Sequence, residues 1–230
     1  MAAVLKGVLF DMDGLMIDTE KLLVRFWCES ARSFGFPMTK EHVLGIRSLS
    51  RKYAEPRLKS IFGEDFDFPA VRAHRIEIMN AYIDEHGIEV KPGLTELLGA
   101  IAERGLKCAV CTATDRARTE RYLKSIGVYD CFNAFVCGDM IKNGKPEPDI
   151  YIEGAAALGL APAECLALED SPNGIESAWR AGCMPVMVPD LSQPDESVEG
   201  RLYAVCGSLD KVIAVIDELL EQQPQKLRVN

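Results

Sequence analysis

The sequence lacks the features of a membrane-spanning or a nucleic-acid-binding protein. No apolar run reaches the ~18 residues that a transmembrane helix needs. Lys and Arg total 26 against 35 Asp and Glu, which gives a net charge of −9. An acidic protein does not hold an anionic membrane or a nucleic acid through its overall charge. We therefore expect neither partner, and an anionic substrate would have to be attracted by local cations or a metal.

Paired cysteine ligands are also scarce. Cys108, Cys111, Cys165 and Cys206 lie inside or beside apolar runs, where a free cysteine behaves as a small hydrophobic residue. Cys108 and Cys111 have the C-x-x-C spacing, but no second pair follows at a distance typical of zinc sites, so a metal or redox role stays open there. The start, MAAVLKGVLF, turns acidic too soon for a signal peptide. We expect a reduced, soluble, cytoplasmic protein that is a monomer.

Short apolar runs alternate with helical patterns over most of the chain. The runs that predict buried parallel strands are 4–10, 106–112, 134–137, 165–169, 184–188 and 203–206. The helical patterns are 93–105, 115–128, 149–160, 173–182 and 209–223, several of which end at a glycine. Strands that alternate with helices predict an α/β fold with a doubly wound parallel sheet.

The segment 17–88 breaks this alternation. Its four stretches 19–36, 39–46, 50–63 and 67–87 all have helical patterns, and no strand pattern lies between them. About 70 helical residues are too many for a simple crossover between two strands. We predict an inserted helical cap domain at 17–88, hinges near 14–18 and 86–92, and a core domain made of 1–16 and 89–230.

Polar residues follow the carboxyl ends of four predicted strands, where open α/β sheets bind their ligands. They are Asp11 and Asp13, Thr112, Asp139, and Glu169 with Asp170, and Lys145 lies in the loop after the third strand. Clustered carboxylates resist ionising together and so need a cation, and an oxygen-only set suits Mg²⁺. A lysine and a hydroxyl beside it suit a phosphoryl group. The pattern predicts a metal-assisted phosphoryl-transfer site.

Each of these residues alone has an ordinary structural explanation. A strand-end Asp or Thr is often a helix N-cap or a turn residue. Thr112 could cap the helix that begins near Asp115, and Glu169-Asp170 could be a turn. Only the joint pattern favours the functional interpretation.

Four stretches together resemble a known family. DMDGLMIDTE, CTAT, KPEPDIY and LEDSPNGIESAWRAG are similar, in this order, to the four motifs of the haloacid dehalogenase superfamily. The helical insertion lies where that superfamily places its first type of cap. The resemblance spans residues 7–182 and is closest to the β-phosphoglucomutase-like phosphatase branch.

The resemblance implies a covalent mechanism. Asp11 would be the nucleophile that forms an aspartyl-phosphate, and Asp13 would be the general acid to the leaving alcohol and then the base for water. Lys145 and Mg²⁺ would neutralise the transferring phosphoryl group, and Thr112 would donate a hydrogen bond to it.

The resemblance also implies the metal ligands. Mg²⁺ would be held by a carboxylate oxygen of Asp11, the backbone carbonyl of Asp13 and the carboxylate of Asp170. Glu169 would bind the metal or orient its ligands. The substrate would be a small phosphate ester, and a sugar phosphate is the class that we expect.

Substrate contacts are expected from the cap and from the loop after the second strand. VLGIRS resembles the cap loop of the family, so Gly45 and Arg47 are candidates to face the leaving group, although Arg47 could equally be a surface residue. Thr114 and Arg116 are candidates beyond Thr112.

One departure from the family bears on the reaction. The mutases of this branch carry a histidine four residues after the Thr of the D-T pair, and here that position is Leu23. Its absence favours a phosphatase over the alternative, a β-phosphoglucomutase-type sugar phosphomutase.

Three other protein classes fit the sequence less well. A phospho-acceptor domain of the response-regulator kind is shorter and has no helical cap. A dinucleotide-binding dehydrogenase needs G-x-G-x-x-G after its first strand, and DMDGLM does not supply it. A dehalogenase needs neither Asp13 nor Mg²⁺, so metal dependence separates it from a phosphatase.

Overall fold

A computed structural model of the chain describes residues 4–222. One parallel sheet of six strands forms its centre, in the order β3-β2-β1-β4-β5-β6. The strands are β1 Gly7–Phe10, β2 Lys107–Thr112, β3 Ala134–Cys137, β4 Cys165–Glu169, β5 Met184–Met187 and β6 Ala204–Val205. The order reverses between β1 and β4, which is where such sheets open a crevice at their carboxyl ends.

The helices divide into two sets along the chain. Four follow β1 as a group within residues 20–86: α1 Glu20–Ser33, α2 Lys40–Leu44, α3 Arg51–Phe62 and α4 Phe68–His86. The others flank the sheet: α5 Leu94–Glu103, α6 Arg116–Ser125, α7 Asp149–Ala157, α8 Pro172–Ala181 and α9 Val212–Glu221. Within residues 4–222, no helix combines the length and the apolar character that crossing a bilayer requires.

The predicted doubly wound α/β fold with a helical cap is confirmed. The predicted strands 4–10 and 203–206 are shorter in the structure, as Gly7–Phe10 and Ala204–Val205. The last predicted helix, 209–223, begins with a 3-10 turn at Leu209–Lys211, and its final residue lies outside the described residues. So do residues 1–3 and 223–230 of the predicted core domain.

The sheet is buried on both faces. Val8, Phe10 and Val110 belong to an apolar core with α5 and α9, whereas Leu9 and Ala109 belong to a second core with α7. The alternation follows from the two-residue period of a strand, which sends successive side chains to opposite faces. Cys108 and Cys111 therefore lie in different cores, and their C-x-x-C spacing does not bring the two thiols to one face.

The four helices α1–α4 have an apolar core of their own around Trp27, Leu58, Phe66 and Val71. Full burial of each such side chain contributes about 1.5–3 kcal/mol. The helix α4 begins where Asp67 accepts a hydrogen bond from the backbone N–H of Ala70 at 3.0 Å, an N-cap of the usual type.

Two antiparallel linker segments join this helical unit to the sheet. Ile17 and Val90 form an isolated antiparallel bridge, and the N–H of Asp18 donates to the carbonyl of Glu89 at 2.8 Å. The predicted hinges at 14–18 and 86–92 contain these residues. The domain division at 17 and 88 stays a prediction.

The cysteines give a chemical test of this packing. Burial raises the pKa of Cys108 to about 11, and those of Cys165 and Cys183 to about 12. Cys131 is exposed and Cys28 is half-buried. Because the thiolate is the reactive form, we expect iodoacetamide at pH 8 to modify Cys131 first, Cys28 more slowly, and the six buried cysteines only after unfolding in urea. Peptide mass spectrometry over time measures this order, and rapid modification of Cys165 in the native protein would contradict the buried position of β4.

Candidate active site

The strand register brings the candidate residues to one edge of the sheet. Phe10 lies opposite Val110 of β2 and Leu168 of β4. The N–H of Asp11 continues the ladder by donating to the carbonyl of Leu168 at 3.0 Å. Asp11 therefore lies beside Glu169, and both carboxylates emerge at the carboxyl end of the central strands.

The turn after β1 positions Asp13 separately from the other acids. The Oγ1 atoms of Thr19 and Thr114 donate to the two carboxylate oxygens of Asp13, at 2.5 Å and 2.7 Å. Gly14 in this turn has φ of 84°, and a Cβ there would lie 2.0 Å from Oδ2 of Asp170. Only glycine accommodates both the positive φ and this close approach.

A buried lysine bridges two of the acids. Nζ of Lys145 lies 2.5 Å from Oδ1 of Asp11 and 2.5 Å from Oε1 of Glu169. The hydroxyl of Tyr151 also donates to Oε1 of Glu169, at 2.5 Å. All four side chains are buried, and a buried cation needs such pairing to offset the loss of water.

Burial and charge shift the proton equilibria of these groups. Burial raises the pKa of Asp11 well above its usual value; Lys145 opposes this shift, and Glu169 adds to it. Burial alone disfavours the Lys145 ammonium, but Asp11 and Glu169 outweigh it and hold the pKa of Lys145 above its usual value. Lys145 is therefore a permanent cation beside the candidate nucleophile.

Arg47 reaches the same edge from the loop after α2. Its guanidinium donates from Nη2 to the carboxylate and to the carbonyl of Asp170, and from Nη1 to Oγ of Ser192 at 3.0 Å. Its Nε lies 3.4 Å from Oε2 of Glu20. Burial raises the pKa of Asp170 to about 7 although Arg47 opposes it, and burial raises the pKa of Glu20 in the same way. The edge holds more buried negative charge than its cations neutralise.

Three of the acids could hold a metal ion. Asp11, Glu169 and Asp170 each present a carboxylate oxygen within 4.8 Å of the others. The Oδ1 atom of Asp170 is buried and, within residues 4–222, has no hydrogen-bond partner. An orphaned carboxylate oxygen in a buried acidic cluster fits a divalent cation with oxygen ligands. The carboxylate of Asp13 lies outside this group and accepts hydrogen bonds from the two threonines instead, and the predicted metal contact of its backbone carbonyl stays a prediction.

The helices that follow these acids are capped by other residues, so the candidate residues are not helix N-caps. Asp115, and not Thr112, caps α6, because its side chain accepts from the N–H of Arg118 at 3.0 Å. The Oγ1 of Thr112 accepts from the N–H of Thr114 at 3.1 Å. Ser171 caps α8 by accepting from the N–H of Gly174 at 3.2 Å. Thr112 and the pair Glu169-Asp170 are thus free of a capping role.

A cavity of about 350 Å³ opens above the acids, between the sheet and the helices α1–α4. Asp11, Asp13, Thr112, Lys145 and the predicted contacts Arg47 and Thr114 line it.

Two of the predicted substrate contacts do not reach this cavity. The Arg116 guanidinium lies over the Phe135 ring at 4.4 Å and donates to the Tyr129 hydroxyl at 2.6 Å. Gly45 ends α2 and packs under Arg57. Neither Arg116 nor Gly45 is among the residues that line the cavity. The predicted rim residue Asp139 lines the cavity but is exposed, accepts from the N–H of Arg116, and lies outside the acidic cluster.

Several residues of the site were missed in the sequence. Glu20 and Tyr151 stand inside the quoted motifs but were given no role there. Arg72, Arg75 and Arg118 also line the cavity. The spacing of three residues between Arg72 and Arg75 on a helical pattern is the signal that could have placed them on one face.

Comparisons with known proteins place this chain in a family. The model of the haloacid dehalogenase-like hydrolase family matches residues 8–188. Hexitol phosphatase A of Escherichia coli (strain K12) is 34% identical over 197 residues, covering 83% of this chain and 88% of that protein. The phosphorylated carbohydrates phosphatase of Thermotoga maritima is 29% identical over 218 residues, covering 94% and 100%. The crystal structure of β-phosphoglucomutase from Clostridium difficile has the same fold, with a TM-score of 0.81 at 21% identity, covering 95% and 98%. The chain is therefore an enzyme of the haloacid dehalogenase-like hydrolase family.

Proposed function

We propose that the protein is a Mg²⁺-dependent phosphatase that hydrolyses a small phosphomonoester, of the sugar phosphate class, through an aspartyl-phosphate on Asp11. The observation that carries this proposal is the separation of two acids into different surroundings. Asp11 is paired with the buried Lys145 within the acidic cluster, whereas Asp13 is oriented by Thr19 and Thr114 and, among residues 4–222, has no cation at ion-pair distance. Acids in such different environments suit different steps of one reaction.

In the first step, a carboxylate oxygen of Asp11 attacks the phosphorus, and the bond from phosphorus to the alcohol oxygen breaks. Asp13 gives its proton to that oxygen, so that a neutral alcohol leaves. Lys145 stabilises the negative charge on the phosphoryl oxygens, and Thr112 donates a hydrogen bond to them.

In the second step, Asp13 takes a proton from a water molecule whose oxygen attacks the phosphorus. The bond between phosphorus and Asp11 breaks, inorganic phosphate forms, and both acids return to their initial states.

Asp11, Glu169 and Asp170, with the backbone of Asp13, would hold Mg²⁺. When bound, the ion supplies positive charge that keeps Asp11 ionised and neutralises the phosphoryl group. The named relatives support a phosphorylated carbohydrate as substrate, since one is a hexitol phosphatase and the other a phosphorylated carbohydrates phosphatase.

A sugar phosphomutase is the second candidate, and Leu23 argues against it. A mutase must exclude water and retain a bisphosphorylated sugar while the sugar turns over. Leu23 is half-buried and lines the cavity, so an apolar side chain stands where the mutases carry a histidine.

The two candidates predict different products from the same assay. With β-glucose 1-phosphate, Mg²⁺ and catalytic glucose 1,6-bisphosphate, we expect free phosphate to form faster than glucose 6-phosphate. Coupled spectrophotometric assays follow both products together, and a reaction without the bisphosphate is the control. Glucose 6-phosphate that appears many times faster than phosphate would establish the mutase.

A further inference from the structure

A group of arginines outside the acidic cluster lines the cavity. Arg72 and Arg75 come from α4, and Arg118 comes from α6. All three line the cavity that also contains Asp11 and Asp13. We call them the distal arginines.

Arg75 is buried without a partner for its charge. It is 4% exposed, and its guanidinium carbon lies 5.2 Å from the centre of the Trp27 ring. Its only hydrogen-bonding contact among residues 4–222 is from Nη1 to the sulfur of Met79 at 3.8 Å, and its Nε has none. A buried guanidinium whose N–H groups lack acceptors lowers the free energy of unfolding. Such a residue therefore calls for a functional explanation.

The charges around Arg75 make its position less favourable still. Arg118 is paired with Asp115 at 2.6 Å. Within the described part of the chain, neither Arg72 nor Arg75 has a carboxylate at ion-pair distance. Burial, followed by the nearby Arg118 and Arg72, lowers the pKa of Arg75 to about 9. Among residues 4–222, the three guanidinium groups therefore have one carboxylate at ion-pair distance, that of Asp115, and the attraction of Asp13 offsets only part of the shift in the pKa of Arg75.

The remaining cations of the cavity are already committed to acids. Lys145 is paired with Asp11 and Glu169, Arg47 with Asp170 and Glu20, and Arg51 with Glu55. The positive charge of the distal arginines is thus available to an anionic ligand that enters the cavity.

We propose that the distal arginines form a subsite for a second anionic group, so that the preferred substrate is a phosphomonoester whose alcohol part carries a carboxylate or a second phosphate. This rests on the proposed function, because it assigns the far end of the molecule whose phosphoryl group meets Asp11. Guanidinium groups bind either anion through paired N–H donors. The subsite joins α4 to α6, so an anion bound there holds the helical cap against the sheet domain.

Two matched pairs of phosphomonoesters test the subsite. 6-Phosphogluconate and glucitol 6-phosphate differ only at C1, which is a carboxylate in the first and a hydroxymethyl group in the second. Fructose 1,6-bisphosphate and fructose 6-phosphate differ by one phosphate. We expect kcat/KM to be at least about tenfold higher for the more anionic member of one or both pairs, mainly through KM, because one charge-assisted contact in a dry site is worth about that factor. A preference in the first pair identifies a carboxylate as the ligand, and a preference in the second identifies a phosphate.

Three variants separate the subsite from a structural role of Arg75. Arg75→Met, which keeps the length and the apolar contact with Trp27, should reduce the preference about tenfold, and Arg75→Lys should retain most of it. Arg72→Met should also reduce the preference for the more anionic ester. It replaces Arg75→Met in the test if that variant does not fold. Arg32→Met removes the same charge from the end of α1, at an exposed residue outside the cavity wall, and should leave the preference unchanged.

A binding measurement makes the result independent of turnover. Titration calorimetry on Asp11→Asn should show tighter binding of the more anionic member, and Arg75→Met in that background should remove the difference. Hydrolysis of all four esters without preference, and without an effect of Arg75→Met on the ratio, would overturn the subsite and leave the phosphatase standing. Absence of hydrolysis of every phosphomonoester tested would overturn the proposed function, and the calorimetric difference would then still decide the subsite.

Discussion

Replacing Asp11 with asparagine is expected to lower the rate of phosphate release by roughly 10⁴-fold or more, as removal of a covalent nucleophile does in other enzymes. The amide is a poor nucleophile and a poor ligand for a divalent cation. It also loses the ion pair with Lys145, which is buried. The measurement is steady-state phosphate release at saturating substrate, with circular dichroism to establish that the variant is folded.

The matched control is Asp139→Asn. Asp139 also follows a strand and lines the cavity, but it is exposed and lies outside the acidic cluster. Its replacement should change the rate by less than about tenfold, since within residues 4–222 its carboxylate accepts a single hydrogen bond, from the N–H of Arg116, and a surface change of this kind costs little. Activity of Asp11→Asn within tenfold of the wild type would remove Asp11 from the role of nucleophile.

Removal of divalent metal should abolish phosphate release by the enzyme. With EDTA, the buried acids Asp11, Glu169 and Asp170 lose the cation that their cluster is suited to hold, and the phosphoryl charge is then opposed by Lys145 alone. Added Mg²⁺ should restore full turnover. Ca²⁺ should occupy the same ligands with little turnover, because its larger and looser coordination shell misplaces the phosphoryl oxygens.

Thermal unfolding provides a readout that does not depend on turnover. A metal that binds only the folded protein stabilises it by ~2.7 kcal/mol at 100 times its dissociation constant, so Mg²⁺ and Ca²⁺ should both raise the melting temperature of the EDTA-treated protein. Asp170→Asn should weaken this rise, because it removes one carboxylate from the cluster, whereas Asp139→Asn should not. Full activity in EDTA, together with a melting temperature that Mg²⁺ leaves unchanged, would contradict the metal site.

Much of the fold was predictable from the sequence because its signals are local. The run 165–169 is uniformly apolar up to its final acid and forms β4 with the same bounds. The four helical patterns within 17–88 became α1–α4, since no β-branched alternation competes with their period. The carboxyl ends of parallel strands must meet at one edge, and this predicted that Asp11 and Glu169 lie at the same edge; the structure adds that β1 and β4 are neighbours there.

Side-chain direction was harder to predict than position. Arg116 and Arg118 are two residues apart at the start of α6, yet only Arg118 lines the cavity, because Arg116 stacks on Phe135. The sequence does not reveal that choice, because Phe135 belongs to β3 and lies 19 residues after Arg116 in the chain. The partners of Arg47 were hidden for the same reason, since Glu20 and Asp170 are distant in the chain and meet only through the tertiary fold.

The bridge between Ile17 and Val90 has a consequence for how such a protein can diversify. The chain leaves the sheet and returns to it at a single point, where the Asp18 N–H meets the Glu89 carbonyl. A segment inserted between those two residues needs only that its two ends lie close together. This is the condition under which domain insertions are tolerated. The helices above this junction can therefore be lengthened, shortened or exchanged without altering the strand register that holds Asp11 and Glu169. The same sheet and its catalytic residues can in this way be adapted to a new leaving alcohol, through changes confined to the residues between the two linkers.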